Sequence, residues 1–425
     1  MSEMIELNQK EKALLVTVDV FAFRDKSLKI EDEAGELKEL AKTAGLEIIE
    51  ELTCHYDNPS PNLFIGKGKA EELNLIAAEF NADVVLFSVD LSGTQQRNLE
   101  EAIGRKVIDR TQLILDIFSR HAKSPEGKTQ VELAQLEYLL PRLTGKGIML
   151  SRLGGGIGTS GPGEQKLELD RRRIRGRITR LKTDLEKIRA QRYLIRKKRI
   201  AQKLPLVSLV GYTNAGKTTL LNTLVNEHQL ADNQLFTTLD PLSRILILPN
   251  HQKVIISDTV GFLHNLPHHL IEAFKATLED VKEADLLLHV LDISSALRYD
   301  YHQAVEAVLK ELDCAGKPVI TVLNKVDKLE EQNWIEKYKL DFPDSVAVSA
   351  LKKENIEGLL SQISQKIPKT IHKISLTIPL DRMNLVDLIY REGQIEKIKY
   401  TSKSIAITAQ IPDTLIHKFE EYLKK

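Results

Sequence analysis

The 425 residues exceed what one hydrophobic core usually holds, so several domains are expected, and 60 Lys and Arg against 60 Asp and Glu give no overall electrostatic case for nucleic acid. Two cysteines, Cys54 and Cys314, lie far apart and exclude a disulfide framework or zinc-ligand spacing. No apolar run is long enough to span a bilayer, and the start, MSEMIELNQKEK, lacks the apolar core of a signal peptide; the cytoplasm is the default compartment.

From Ala13 to about Asp109, strand-like runs (ALLVTVDV, LEIIEEL, ADVVLFSVD) alternate with helical stretches at Glu33–Ala44 and Lys69–Phe80. This predicts an N-terminal α/β domain over residues 1–128. GKGK at Gly66–Lys69 falls at a strand-to-helix junction and could contact a second nucleotide, but no hydroxyl residue follows Lys69 to hold Mg²⁺, which favours a structural turn. From Thr129 the period changes. Leu133, Leu136, Leu140 and Leu143, and after a break Ile174, Ile178, Leu181, Leu185 and Ile188, alternate spacings of three and four. That pattern puts apolar residues on one narrow stripe and predicts a coiled-coil-like antiparallel helical hairpin over 129–203; the competing expectation is that both helices simply pack on a neighbouring domain.

The zero net charge is an average. Glu164–Lys203 holds sixteen Lys or Arg against five Asp or Glu, so a basic arm is offset by an acidic body. Between the two helices, TGKGIMLSRLGGGIGTSGPG (Thr144–Gly163) contains eight of the 22 glycines, which let a backbone approach a partner closely. A stiff basic lever with a glycine tip suits folded RNA, with Lys146, Arg152, Arg171, Arg172 and Arg173 as the candidate contacts. A solvated helix face is the plainer alternative.

Four strings follow in the order of a GTPase domain, expected over 204–368. GYTNAGKT comprises Gly211, Tyr212, Thr213, Asn214, Ala215, Gly216, Lys217 and Thr218; it follows the apolar run Leu206–Val210 and precedes a helical pattern, the context a P-loop requires. Its backbone N–H groups can cradle phosphates, with Lys217 on the β- and γ-phosphates and Thr218 on Mg²⁺. DTVG gives Asp258, Thr259, Val260 and Gly261; Asp258 should hold Mg²⁺ through water and the Gly261 N–H should bind the γ-phosphate. NKVD (Asn324, Lys325, Val326, Asp327) selects the base: the Asp327 carboxylate can accept from the guanine ring N–H and exocyclic amine, a donor pair that adenine lacks. Asn324 adds a polar contact and Lys325 can lie along the base. SAL (Ser349, Ala350, Leu351) supplies a third wall, with the Ala350 N–H facing the guanine carbonyl. Singly, NKVD or SAL reads as a polar turn; four strings in order, each after a strand-like run, place the site at the carboxyl edge of one parallel sheet. FTTLDP (Phe236, Thr237, Thr238, Leu239, Asp240) offers Thr237 or Thr238 as the threonine that reaches Mg²⁺ beside the γ-phosphate.

Residues 369–425 read as a short strand, a helix around Met383–Arg391, two strands (IEKIKYT, SIAITAQ) and a terminal amphipathic helix, a small α+β domain.

The chain resembles HflX, the ribosome-associated GTPases of the Obg-HflX branch of P-loop proteins, over nearly its whole length. FIGKGKAEEL, VELAQLEYLLPRL, SRLGGGIGTSGPGE, LELDRRR, GYTNAGKTTLLN, FTTLDP and DTVGFLHNLPHHLIEAFKATLE carry the resemblance. It implies a monomer that hydrolyses GTP with Mg²⁺ and docks on the large ribosomal subunit and its ribosomal RNA through the N-terminal domain and hairpin. It also implies binding near the peptidyl-transferase region and separation of subunits under stress, with peripheral membrane association through ribosomes left open. Alignment to the family favours Thr238 over Thr237, and Lys217, Thr238 and Gly261 become the expected catalytic set. The glycine tract departs from the family's pattern: Ser160 stands where an arginine is expected, and Gln165-Lys166 follow the Glu. Phe262 occupies the position where Ras-like enzymes carry a water-orienting glutamine, a task phenylalanine cannot perform. His264, Asn265, His268 and His269 are nearby substitutes. Asn214 matches an asparagine with which several potassium-activated GTPases hold K⁺ beside the phosphates, a second expected ion. Two other readings remain: an RNA remodeller using ATP as well as GTP, and a nucleotide-switched scaffold for a protein partner.

Overall fold

The computed structural model describes residues 10–21, 29–143, 162–202, 204–225, 242–262, 278–329, 331, 333–368, 371–401 and 403–423. Two compact units divide the chain, one built on Met1–Ile188 and the other on Arg189–Asp232, Pro241–Asn265 and Ala276–Lys425.

In the first unit β1 (Lys12–Val20), β2 (Glu47–Tyr56), β3 (Val84–Phe87) and β4 (Lys106–Asp109) form a parallel sheet in the order β2-β1-β3-β4. Parallel neighbours need crossovers, here α1 (Ile30–Thr43), α2 (Lys67–Glu79) and α3 (Gly93–Ile103), with α4 (Arg110–His121) after the last strand. The uninterrupted apolar run of β1 is buried along Leu14, Leu15 and Val16, as a central strand covered on both faces requires. GKGK forms the start of α2: Lys69 pairs with Glu72 at 2.8 Å, as expected of a helix-initiating turn rather than a free phosphate ligand.

Two further helices, α5 (Pro125–Arg142) and α6 (Pro162–Ala201), carry the three-four stripe. Leu133, Leu181 and Leu185 are buried together with Leu136, Ile178 and Ile188 against them, and Arg177 and Lys182 reach across to Glu132 and Glu137. Leu140, Leu143 and Ile174 stand outside that cluster. The competing expectation is met for α5, which also buries Val131, Ala134 and Tyr138 and packs on α4. Arg142 locks it there, donating to Asp109 at 3.1 Å and to the Leu91 carbonyl at 2.6 Å with its guanidinium over the Tyr138 ring. Burial pushes the Asp109 carboxyl up, while the Gln112 N–H and Arg142 oppose it.

The second unit holds a six-stranded sheet, β5 (Leu206–Val210), β6 (Leu242–Ile247), β7 (Lys253–Asp258), β8 (Leu286–Asp292), β9 (Val319–Asn324) and β10 (Ser345–Ala347), in the order β10-β9-β8-β5-β7-β6. Only β6 runs antiparallel to its neighbour. Helices α7 (Lys217–Val225), α8 (Glu279–Glu283), α9 (Arg298–Glu311), α10 (Asn333–Asp341) and α11 (Ile356–Lys366) complete the wound α/β architecture. Leu286, Leu288 and Val290 face one core and Leu291 another, so β8 is buried on both sides. The chain goes to opposite sides of β5 to form β7 and β8, and the carboxyl ends at that reversal are where open α/β sheets bind ligands.

The same unit ends in a three-stranded antiparallel sheet of β11 (Ile371–Pro379), β12 (Gln394–Tyr400) and β13 (Ser404–Pro412), ordered β11-β13-β12, with α12 (Met383–Glu392) against it. Ile405, Ile407, Ala409 and Ile411 alternate into its core with Val386, Ile389 and Phe419. The terminal amphipathic helix expected from sequence is not formed. A single helical turn, Asp413–Ile416, and a 3-10 turn, Glu420–Tyr422, replace it, and the buried Phe419 between them takes the place of a continuous apolar stripe.

Candidate functional site

The P-loop joins β5 to α7. Gly211 (φ +156°) and Gly216 (φ +95°) have backbones that side chains resist: a Cβ would lie 2.3 Å from the Val290 carbonyl at Gly211 and 2.4 Å from Asn324 Nδ2 at Gly216. Asn214 is exposed at φ +58°, in the left-handed region that asparagine tolerates best among residues with a side chain. Lys217 is buried and donates to the Gly211 carbonyl at 3.0 Å and the Tyr212 carbonyl at 2.9 Å. Burial pushes its ammonium down to about 8, and the Asp258 carboxylate opposes that shift. A triphosphate arriving here would restore the charge's partner.

Thr218 Oγ1 donates to Asp258 Oδ2 at 2.8 Å, which brings the P-loop hydroxyl and the carboxylate at the end of β7 to one point. Hydroxyl and carboxylate oxygens are hard donors of the kind Mg²⁺ prefers, so the pair fits that ion. Thr259 Oγ1 donates to the Leu209 carbonyl at 2.6 Å and ties the segment after β7 to β5. Gly261 sits so close to the P-loop that a Cβ would come within 2.8 Å of Thr213 Cα and 3.1 Å of Lys217 Nζ. Its main chain therefore lies beside the lysine expected to hold the γ-phosphate. Val260 is buried with it. Phe262 is 3% exposed and pairs by main chain with the P-loop, donating to the Gly211 carbonyl and accepting from the Thr213 N–H. The phenyl ring is thus packed away and offers no group to a water molecule.

On the base side, Asn324 acts as a brace. Its Nδ2 donates to the Ala215 carbonyl at 2.9 Å and its Oδ1 accepts the Ala350 N–H at 3.0 Å. The Ala350 N–H expected to face guanine is here donated to Asn324, and Asn324 Nδ2, which carries two N–H groups and gives one to Ala215, keeps the other for the polar contact expected with the base. Lys325 adopts φ +66°, and its ammonium bonds the Asn214 carbonyl at 2.8 Å and Asp292 at 2.7 Å, so its stem crosses beside the P-loop as a side chain lying along the base would. Ser349 donates to Asp327 Oδ1 at 2.6 Å and fixes that carboxylate, while Val326 is half-buried and Leu351 is exposed. Asp292 was missed in the sequence. The signal was its place at the end of β8, one strand from the P-loop on the same carboxyl edge.

Phe236, Thr237, Thr238, Leu239, Asp240, His264, Asn265, His268, His269, Lys146, Arg152 and Ser160 lie outside the described residues. Arg171, Arg172 and Arg173 lie on α6, where Arg171 and Arg173 approach Glu168 and Asp170 one turn earlier at 4.0 and 3.5 Å and Arg172 is exposed. Among the described residues no helix is long and apolar enough to cross a membrane.

Comparison with known proteins agrees with this geometry. Four family profiles tile the chain: GTP-binding GTPase N-terminal over residues 31–119, GTP-binding GTPase Middle Region over 121–199, 50S ribosome-binding GTPase over 206–325 and HflX C-terminal domain over 336–423. The GTPase HflX of Caldanaerobacter subterraneus is 43% identical over 417 residues, covering 97% of this chain and 94% of that protein. The chain belongs to the HflX family of GTPases. The Escherichia coli GTPase HflX is 40% identical over 383 residues, 90% of this chain and 89% of that protein. Among solved structures, a GTP-binding protein from Sulfolobus solfataricus in complex with GDP matches with a TM-score of 0.44 at 25% identity, covering 84% of this chain and 98% of that one. As an HflX GTPase the chain binds GTP and GDP and hydrolyses GTP in a P-loop domain, and Mg²⁺ is the ion that P-loop GTPases generally use.

Proposed function

We propose that this HflX GTPase binds the large ribosomal subunit through its first unit and the basic helix α6, and acts there to split or rescue stalled ribosomes under stress. The observation that carries this reading is α6 itself: a forty-residue helix whose Arg172, Arg173, Arg175 and Arg180 are exposed, braced on α5 by an apolar seam. Phosphate contacts dominate recognition of folded RNA, and an exposed arginine row on a rigid helix supplies them. We divide the chain functionally at residues 128, 203 and 368, into RNA-facing domain, hairpin, GTPase domain and small C-terminal domain.

Within the nucleotide site, Thr218, Thr238 and Asp258 would hold Mg²⁺, Asp258 by way of water, and the ion would neutralise charge on the phosphates. Lys217 and the Gly261 N–H neutralise charge on the γ-phosphate in the transition state, and Asp327 reads guanine. Asn214, exposed in the P-loop with its own carbonyl bonded by Lys325, would help hold K⁺ near the β- and γ-phosphates. If it does, wild-type turnover is faster in potassium than in sodium chloride at matched ionic strength, and Asn214→Ser abolishes the difference with little change in GDP affinity. Equal wild-type rates in the two salts leave Asn214 a loop residue only.

The ribosome reading is tested by reversing Arg171, Arg172 and Arg173 to glutamate together. Large-subunit binding should weaken and its salt dependence flatten, because each lost phosphate contact removes released counterions, while GTP affinity stays put. Survival of binding with the same salt slope would make this stretch of α6 a solvated face. Association that resists RNase would favour a protein partner instead.

A further inference from the structure

Tyr301 belongs to none of the nucleotide motifs, yet its ring lies flat on that of Tyr212, with centroids 3.9 Å apart and planes within 14°. Tyr212 is the second residue of the P-loop and is buried. Its main chain carries much of the site's geometry. The carbonyl accepts from the Lys217 ammonium at 2.9 Å, and the residue bridges Phe262, whose carbonyl accepts the Thr213 N–H at 2.9 Å and whose N–H donates to Gly211 at 3.1 Å. Gly261 precedes that pairing by one residue. Any rotation of Tyr212 therefore moves the Phe262 pairing and the Gly261 amide with it, while Lys217 keeps the Gly211 carbonyl as a second acceptor at 3.0 Å.

Tyr301 is presented by a fixed element. Its neighbour His302 meets the buried His289 of β8 with Nδ1 atoms 3.3 Å apart and packs edge-on against Phe342 at 5.0 Å, while Val305 and Leu309 bury the next turns of α9. The sheet, the helix and the ring stack thus form one continuous path to the P-loop main chain. Two aromatic rings in face-to-face contact bury a large apolar area against each other, so the position of one side chain constrains the other.

We propose that Tyr301 is a positioning residue for GTP hydrolysis: its stack holds Tyr212 so that the Phe262 pairing aligns the Gly261 N–H with the γ-phosphate. This role rests on Gly261 being the γ-phosphate donor. It makes a demand that a general brace would not. GDP has no γ-phosphate and is blind to the alignment of Gly261, whereas GTP and its hydrolysis depend on it.

The test uses the full chain and compares Tyr301→Leu, Tyr301→Phe and Gly261→Ala with the wild type. Equilibrium titrations with fluorescent GDP and a non-hydrolysable GTP analogue are paired with single-turnover hydrolysis. Tyr301→Leu, which keeps an apolar side chain without a ring, should slow hydrolysis about tenfold and weaken the analogue several-fold, leaving GDP affinity within about twofold, since a hydrogen bond to a charged group contributes that much. Tyr301→Phe keeps the stack and should behave as the wild type. Equal weakening of GDP and analogue by Tyr301→Leu, or no effect on either, overturns the proposal. Gly261→Ala separates the two levels of the inference. Alanine keeps the N–H, but its Cβ, 2.8 Å from Thr213 Cα, must push that main chain off the P-loop. Selective loss of the analogue in Gly261→Ala but not in Tyr301→Leu rejects the role of Tyr301 alone, and unchanged analogue binding and hydrolysis in Gly261→Ala despite that displacement rejects Gly261 as the γ-phosphate donor.

Discussion

Saturating large ribosomal subunits should raise the GTP turnover of this chain by roughly a hundredfold or more, the order of gain available when a GTPase site is completed in trans. The reason is Phe262. Its ring is buried and its main chain is committed to the P-loop, so the residue after Gly261 cannot orient a water molecule. The groups that remain are suited to binding: Lys217 between two carbonyls, Thr218 against Asp258, and the Gly261 main chain beside Lys217. A site that holds the triphosphate well but lacks a water-positioning side chain turns over slowly until a partner supplies or orders one. Steady-state phosphate release measured against subunit concentration decides the matter. The gain should fall as salt rises, since the encounter is electrostatic. Turnover that does not change at saturating subunit would place the water-positioning group within the chain.

The four motif strings were legible because each chemical demand fixes residue types at short spacing. A phosphate loop needs glycine where φ is positive, and the structure finds Gly211 and Gly216 there. The alternation of β1, β2 and β3 with α1 and α2 was legible for the same local reason, as apolar runs bounded by turns, whereas the four-residue β4 was too short to stand out. What sequence concealed were pairings between distant segments. Nothing local marks Asp292 as the partner of Lys325, Tyr301 as the ring beneath Tyr212, or Arg142 as the clamp between α5 and the end of β4. The three-four stripe identified both helices, yet it did not reveal that α5 spends a second face on α4, because that face is written in Val131, Ala134 and Tyr138 rather than in a leucine repeat. The same holds for Asn324: its motif says that a polar group is needed, while only the fold shows that its amide also ties the P-loop to the SAL turn.

Asp327→Asn exchanges guanine for xanthine as the preferred base, with a loss of GTP affinity on the order of a thousandfold, because two hydrogen bonds to a carboxylate are replaced by one acceptor and one misdirected donor. Guanine presents two donors, the ring N–H and the exocyclic amine, and a carboxylate accepts both. Xanthine keeps the ring N–H but carries a carbonyl in place of the amine. An asparagine amide matches that edge, accepting with its oxygen and donating with its nitrogen. The local structure permits the exchange without collapse: Ser349 donates to Asp327 Oδ1 at 2.6 Å and can donate equally to an asparagine oxygen, and the Asn324 brace is untouched. The P-loop, Thr218 and Asp258 are also unaltered, so hydrolysis of bound xanthosine triphosphate should proceed at the rate the wild type shows with GTP. Competition of GTP, xanthosine triphosphate and ATP against a fluorescent nucleotide on the wild type and the variant reads this directly. Equal weakening of all three nucleotides would mean a damaged pocket, and undiminished GTP binding would remove Asp327 from base recognition. ATP should remain a poor competitor in both proteins, since adenine lacks the ring N–H that either side chain must meet.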